Sequence, residues 1–206
     1  MLFRSDVDYY ADEIQFSESG TRFTLVYNDG RIPFETKLLG ELNILNILSA
    51  IAIAHYLNVD WATIQRAIKQ MKQVEHRLEL KRINGYTFID DAFNANPSGA
   101  KMALEVLAHM KGKRFIITPG MIELGERQEE LNETFGKQML NKVDEVLLVG
   151  AHQVEPIYRG LEEVGFDMSH VHVVDTVKEA FAYVYQNATE EDVILLENDL
   201  PDAFSH

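Results

Sequence analysis

The feature that most restricts the fold is a change of rhythm near residue 78. Beyond it, short apolar runs at 86–89, 114–118, 145–149, 171–174 and 193–196 alternate with longer stretches at 97–110, 126–140, 154–164 and 177–185 that carry helical patterning. Short runs that are apolar throughout suit strands covered on both faces, and the intervening helices supply the cover. The alternation predicts an α/β unit with a mainly parallel, doubly wound sheet. A sixth strand at 78–83 is joined to 86–89 by Asn84-Gly85, a dipeptide that suits the left-handed backbone of a two-residue hairpin. Ligands of such sheets bind beyond the carboxyl ends of the strands. The turns at 90–97, 118–125, 150–153 and 197–201 are therefore expected to gather there.

The first part of the chain reads differently. Strand character at 22–27, a turn at Asn28-Asp29-Gly30 and a partner strand at 32–39 predict a hairpin, with 12–16 as a possible edge strand. Gly40 ends the hairpin. A helix is expected at 41–57, apolar almost all round and therefore buried on several sides, and a second at 60–72 with Asp60 as its N-cap. The boundary falls near residue 74, without a Pro/Gly-rich linker, which gives units 1–73 and 74–206.

Composition closes several routes. The chain has no cysteine, which removes disulfides and thiolate metal sites and fits a reducing compartment. A formal net charge of -14 argues against general binding to nucleic acid or to an anionic membrane. It leaves room for a small anionic ligand held by local donors. The N-terminus lacks an apolar signal core, and the run at 42–57 is too short and too polar to span a bilayer. A cytoplasmic location is the expectation. There is no Gly-x-x-x-x-Gly-Lys-Ser/Thr loop, no Gly-x-Gly-x-x-Gly after a strand, no Gly-x-Ser-x-Gly elbow, and no zinc spacing among the seven histidines. The chain carries no self-sufficient engine for ATP hydrolysis.

What remains is a set of polar turns. Ile89-Asp90-Asp91-Ala92-Phe93-Asn94-Ala95-Asn96-Pro97-Ser98-Gly99 places two carboxylates, two carboxamides and a helix-starting proline just after a strand. Asp90 or Asp91 could hold ribose hydroxyls or help hold magnesium, or form an Asx-turn or cap. Asn94 and Asn96 could cap the helix at Pro97 or donate to a ligand; capping accounts for one of them, not both. Arg77, flanked by His76 and Glu79, could reach a phosphate or sit in a surface ion pair. Asn43 and Asn46, three residues apart on one helix face, could satisfy the helix start or face a ligand. In the turn 118–125, Gly120 and Gly125 permit close approach of a ligand, and Glu123 could bind substrate or favour the start of the next helix.

Taken in order, Gly40-x-x-Asn43-x-x-Asn46, His76-Arg77-Leu78-Glu79, Asp90-Asp91-Ala92-Phe93-Asn94-Ala95-Asn96-Pro97 and Gly120-Met121-Ile122-Glu123-Leu124-Gly125 resemble the motifs of the Mur ligase family. Within it they look most like the ligases that add D-alanyl-D-alanine to a UDP-muramoyl tripeptide. The chain departs from the family pattern at Leu42, where histidine is usual, at Phe93, where tyrosine is common, and at Pro119-Gly120, where Gly-Asp is usual. The resemblance implies a Rossmann-like, mostly parallel six-stranded C-terminal domain at 74–206. Residues 1–73 would be the tail of the central ATPase domain, a hairpin plus two helices. The phosphate-binding loop and most magnesium ligands would lie upstream, so the chain is expected to be a fragment, inactive alone and monomeric.

The resemblance further implies ATP and Mg2+ as cofactors, and a UDP-linked muramoyl peptide and D-Ala-D-Ala or a similar amine as substrates. Asn43 and Asn46 would face adenine, Arg77 the terminal phosphate, and Asp91 the ribose or its neighbourhood. Asn94, Asn96 and Glu123 would line the amine-substrate side. The reaction implied is acyl phosphate formation followed by amine attack. A folylpolyglutamate or cyanophycin synthetase-like ligase, or a catalytically silent binding domain, are the alternatives.

Overall fold

The computed structural model describes residues 8–28, 30–93 and 96–198. The chain divides into two compact units, Met1–Val74 and Glu75–His206.

The first unit holds a three-stranded antiparallel sheet, β1 (Tyr9–Ser17), β2 (Gly20–Tyr27) and β3 (Gly30–Thr36), in the order β1-β2-β3. The expected hairpin is thus a meander, because the segment expected as a short edge strand at 12–16 runs the full length of β2. A register shift between Asp12 and Gln15 marks a bulge in β1, and Glu13 there has φ 54. Alternation along β2 sends Phe23 and Leu25 inward, onto Phe34 of β3 and onto Ile44, Ile47, Leu48 and Ile51 of helix α1 (Glu41–Tyr56). Helix α2 (Trp61–Lys69) adds Ile64 and Ile68 to this core. Its N-cap is Asp60, whose carboxylate accepts the Thr63 N–H at 2.9 Å. Burial of α1 is less complete than its composition predicts. One face packs on the sheet, while Leu42, Leu45, Ile53 and Leu57 stay exposed, with Ile53 at 63% and Leu57 at 65%.

The second unit holds a six-stranded sheet in the order β4-β5-β9-β6-β7-β8. Its strands are β4 (Glu79–Ile83), β5 (Tyr86–Asp91), β6 (Arg114–Thr118), β7 (Glu145–Val149), β8 (Val171–Val174) and β9 (Val193–Glu197). Only β4 runs antiparallel, hinged to β5 through Asn84 and Gly85, both at positive φ. The connecting helices are α3 (Pro97–Ala108), α4 (Gln128–Gln138), α5 (Ala151–Glu163) and α6 (Val177–Asn187). Right-handed crossovers place α3, α4 and α5 on one face and α6 on the other, because the chain reverses direction across the sheet after β8. Phe88, Phe115, Ile117, Leu147, Ile194 and Leu196 pack on Ala180 and Val184 of α6. Ile89, Ile116 and Leu195, which alternate with them along the strands, are equally buried on the opposite face. The strands are buried on both sides, as their unbroken apolar runs require.

Helix α5 begins at Ala151, so the ligand turn expected at 150–153 shrinks to Gly150 at φ 86. That start has no side-chain cap and is not signalled in the sequence. No helix among the described residues is long and apolar enough to cross a membrane.

Candidate functional site

Four parallel strands, β5, β9, β6 and β7, end at one edge of the second unit, with β9 between β5 and β6. Asp90 and Asp91 close β5, Glu197 closes β9 and Thr118 closes β6. Successive residues alternate faces, so Asp90 shares the α6 side with Phe88. Asp91 shares the opposite side with Ile89.

Asp90 is fully buried, and its oxygens are taken. Oδ2 pairs with His76 Nδ1 at 2.9 Å and with Lys81 Nζ at 2.5 Å, while Oδ1 accepts the Ala92 N–H at 3.2 Å in an Asx-turn. Asp91 Oδ1 accepts the Leu78 N–H at 2.9 Å, and Glu79 Oε2 accepts that of His76 at 3.2 Å. The acids of this corner therefore hold the residues on both sides of Arg77. His76 and Leu78 both adopt left-handed backbone, φ 56 and φ 47. Such a conformation costs a non-glycine residue about 1–2 kcal/mol and persists only where neighbours enforce it. Arg77 itself is exposed, and its guanidinium carbon lies 5.2 Å from the centre of the exposed Phe93 ring. The strained turn thus projects a cation, with Asp91 and Phe93 beside it.

Glu197 is the neighbour that the sequence did not single out. It is the register partner of Asp91 in the parallel β5–β9 pair, so the two side chains share a face. It is fully buried, and neither carboxyl oxygen has a hydrogen-bond partner among the described residues. Burial, and then the charge of Asp91, push its carboxyl well above the usual carboxylate range. Asp91 is pushed up to about 6, chiefly by burial; the Leu78 N–H pulls it down, Asp90 pushes it up and Arg77 pulls it down. A buried acid at the end of an apolar strand has no periodic signature, and position 197 reads equally well as the first residue of a loop.

The turn after β6 is organised by two asparagines, Asn132 and Asn198, the second from the 197–201 turn expected at this edge. Asn132 of α4 is buried; its Oδ1 accepts the Met121 N–H at 2.8 Å, and its Nδ2 donates to Met121 O at 2.8 Å and Gln128 O at 3.0 Å. The Asn198 side-chain amide donates to Gly120 O, and Thr118 Oγ1 accepts the Gly120 N–H at 3.0 Å. Gly120 sits at φ +80, where a Cβ would also come within 3.0 Å of Asn132 Oδ1 and 3.1 Å of Ile157 Cδ1. Glu123 stands exposed at φ 62 at the tip of this turn.

The remaining sequence candidates divide plainly. Asn96 is the N-cap of α3, its Oδ1 accepting the N–H groups of Ser98 at 3.1 Å and Gly99 at 3.0 Å. Asn94 lies outside the described residues. Asn43 and Asn46 belong to the first unit. Asn43 Nδ2 donates to Leu39 O at 2.7 Å, a local bond at the start of α1, whereas Asn46 is exposed. Among the described residues no group of three or more His, Asp or Glu could hold a metal ion.

The raised carboxyl of Asp91 has a consequence for stability. Its folded value, about 6, exceeds its unfolded value near 3.8, so the folded state holds the proton more tightly between them. Stability contributed by protonated Asp91 is full below about pH 4 and is lost as the pH rises through about 6. The loss approaches about 3 kcal/mol for a shift of this size. Asp91→Asn retains an oxygen for the Leu78 N–H but has no proton to lose. Urea unfolding is expected to show the variant gaining on the natural chain by roughly 2–3 kcal/mol between pH 4 and pH 7.5. A difference that stays flat across that range would show that Asp91 is not shifted.

Comparison with known proteins gives one match in each unit. Residues 76–197 match the Mur ligase, glutamate ligase domain, and residues 3–54 match the Mur ligase middle domain. The chain is 29% identical over 194 residues to the UDP-N-acetylmuramoyl-tripeptide–D-alanyl-D-alanine ligase of Bacillus subtilis (strain 168), covering 91% of this chain and 41% of that protein. It is 31% identical over 199 residues to the UDP-N-acetylmuramoylalanine–D-glutamate ligase of Elusimicrobium minutum, covering 94% of this chain and 38% of that protein. Among solved structures, the MurF ligase of Thermotoga maritima in complex with ADP shares the fold at a TM-score of 0.77 and 22% identity. That match covers 93% of this chain and 43% of that one. The chain therefore spans about two fifths of the length of the relatives it matches.

Proposed function

Because the chain belongs to the Mur ligase family, we propose that it is the C-terminal portion of an ATP-dependent amide ligase of peptidoglycan-precursor synthesis. Its substrates are a UDP-linked muramoyl tripeptide and D-alanyl-D-alanine, and it works in the cytoplasm as a monomer. The observation that carries this reading is the strained turn at 76–78, which the carboxylates of Asp90, Asp91 and Glu79 clamp so that Arg77 is held out at the carboxyl edge of the sheet. A guanidinium presented from a held backbone turn at the ligand-binding edge suits a phosphate undergoing transfer.

In the reaction proposed, a substrate carboxylate oxygen attacks the γ-phosphorus of ATP, and ADP leaves. The resulting acyl phosphate is attacked at carbon by the neutral amine, and inorganic phosphate departs as the amide forms. Arg77 neutralises charge on the transferred phosphoryl group. The turn at 118–125, fixed by Asn132 and Asn198, faces the amine substrate, and Glu123 at its tip is a candidate contact, together with Asn94. Of the two asparagines of α1, Asn46 offers an exposed carboxamide for adenine. Asn43 serves the helix start, and Asn96 serves the start of α3. The described residues do not fit a magnesium site, so no step is assigned to that metal through this chain. The exposed apolar face of α1, with Leu42, Leu45, Ile53 and Leu57, supports a further body of protein covering it in the working enzyme.

The test is assembly. The chain alone, given ATP, magnesium, the UDP-muramoyl tripeptide and D-alanyl-D-alanine, is expected to make no amide. Fused behind the remaining N-terminal part of the Bacillus subtilis relative, it is expected to yield pentapeptide, ADP and phosphate in equal amounts, read by mass spectrometry and phosphate release. A fusion that folds, binds ATP and joins neither D-alanyl-D-alanine nor any single amino acid to a muramoyl peptide would overturn the reading. Glutamate added to a folate instead would move the chain to another branch of the superfamily.

A further inference from the structure

We propose that Asn198 is a positioning residue that sets the spacing between the phosphate-side corner and the amine-side turn of the ligase site. The proposal rests on the ligase reading above and adds to it the tie that holds the two halves of the site in register.

Strand order shows where such a tie is needed. β9 lies between β5, which ends in the corner that holds Arg77, and β6, which ends in the turn at 118–125. The β5–β9 ladder runs to the last residues of both strands, Asp91 opposite Glu197. The β6–β9 ladder stops earlier, at Ile117 opposite Leu196. Past that pair a tie from β9 to the turn has to come from a side chain.

Asn198 supplies it. Its backbone N–H donates to Asp91 O at 3.2 Å, one step past the last pair of the β5–β9 ladder. Its side-chain amide donates to Gly120 O. The residue is buried and left-handed, with φ 73. Asparagine is one of the few residues besides glycine that adopt this backbone readily. Glycine would bend as well but would bring no amide, so the residue type meets two requirements at one position.

The tie continues to the cation. The Leu78 N–H bonds to Asp91 Oδ1, Asp91 O takes the Asn198 N–H, and the Asn198 amide bonds to Gly120 O. Hydrogen bonds thus run unbroken from the residue after Arg77 to the amine-side turn. Asn132 holds the same turn through both polar groups of Met121, but from α4, so it fixes the turn to the helix layer and not to the phosphate corner. Thr118 acts within the turn itself. Losing the Gly120 bond therefore leaves the turn attached to α4 and unregistered against β9.

Register between the halves matters for one step above the other. Phosphoryl transfer uses the Arg77 side alone. Amine attack needs the acyl carbon and the amine within bonding approach, and a displacement of about 1 Å there costs about 10²-fold.

Asn198→Gly is the variant that isolates the tie, because it keeps the backbone N–H and the left-handed bend and removes only the amide. In the full 206-residue chain it is expected to melt close to the natural temperature and to shift the carbonyl carbon-13 signal of Gly120. Amide exchange at Met121 should quicken by about tenfold, the equivalent of one lost neutral hydrogen bond, while Leu78 exchange stays unmoved. In the assembled ligase, hydroxylamine separates the two steps. It is small enough to reach the acyl phosphate without the turn; its nitrogen attacks the acyl carbon, phosphate leaves and a hydroxamate forms. Asn198→Gly is expected to make hydroxamate at the natural rate with an unmoved KM for ATP, while kcat with D-alanyl-D-alanine falls by about 10²-fold. Asn198→Asp keeps the size and the bend but sets a carboxylate against Gly120 O, so its loss with the dipeptide should be at least as large. Equal losses with hydroxylamine and the dipeptide would mean a general structural role and overturn the proposal. So would a normal dipeptide rate in Asn198→Gly, a collapse of its Tm, or unchanged Gly120 and Met121 signals. A natural fusion that folds and yields neither amide nor hydroxamate sinks the ligase reading instead, and the Gly120 and Met121 signals then still report whether the tie exists.

Discussion

Arg77→Ala is expected to lower kcat of the assembled ligase by about 10²–10³-fold, the usual cost of removing one preorganised charge-stabilising donor, while Tm moves little. The two halves of that expectation have separate causes. The guanidinium is exposed, its recorded contacts are the Phe93 face and the field of Asp91, and losing an exposed cation–π contact costs only about 0.5–1 kcal/mol. The turn that presents Arg77 does not depend on its side chain. His76 is held by Asp90 and Glu79, and Leu78 by Asp91, so the strained backbone survives the substitution with nothing left to present. Arg77→Lys is expected to recover part of the loss, because a point charge replaces the planar fork and cannot make its paired hydrogen bonds. Removing the cation also withdraws one of the two influences that hold the Asp91 carboxyl down, so that carboxyl should titrate higher in the Ala variant. Normal turnover with Arg77→Ala would end the phosphate assignment. A large drop in Tm would show that the turn needs the side chain, contrary to the contacts seen.

The two halves of the chain were not equally legible in the sequence. Strands β6, β7 and β9 match the apolar runs from which they were read almost residue for residue, since a strand covered on both faces has little room for a polar residue. The expectation of a strand at 12–16 falls short of β1 because Asp12, Glu13 and Gln15 break its apolar pattern. Its bulge lets those side chains face solvent, and Glu13 Oε2 accepts from the Thr24 hydroxyl of the neighbouring strand. The composition of helix α1 predicts burial on several sides, but composition does not say how many neighbours are present, and its outer face is open. The motif residues of the site were legible as types and not as roles. Asp90 and Asp91 are adjacent letters that point to opposite faces of the sheet, one locked into the fold by His76 and Lys81, the other left half open. That division depends on the register of β4 and β9 against β5, which no local pattern encodes. Asn132 and Asn198 escaped for the same reason, because their partners lie 11 and 78 residues away.

The α4–α5 contact is where the fold is expected to fail most sharply under a minimal change. Gly160→Ala and Gly136→Ala would each ordinarily help a helix, since alanine is favoured over glycine in a helix interior by about 1 kcal/mol. Here the sign should reverse. A Cβ on Gly160 would lie 2.1 Å from the Glu133 carbonyl oxygen, and one on Gly136 would lie 2.3 Å from that of Ile157. Both obstacles are backbone, so no rotamer change relieves them, and the helices must separate. Separation would thin the buried packing around Phe135, Met139, Ile157 and Leu161. The exposed and half-exposed ion pairs Arg159–Glu133 and Lys137–Glu163 add too little to hold the helices together. Overpacking of this severity costs about 3 kcal/mol, well beyond the propensity gain. A domain of this size should then lose roughly 10 °C in Tm for either variant. The damage should also reach the site, because Asn132 sits one turn from Gly136 on α4 and fixes both the N–H and the C=O of Met121. Amide exchange at Met121 should therefore quicken in the Ala variants even below their melting range. Gly165→Ala makes the comparison. That residue has φ +73 but nothing within 4 Å of a Cβ, so it is expected to show only the backbone strain of about 1 kcal/mol, with Met121 undisturbed. Melting of Gly160→Ala at or above the natural temperature would mean that α4 and α5 do not approach as closely as 2.1 Å requires, and the anchoring of the 118–125 turn through Asn132 would need another cause.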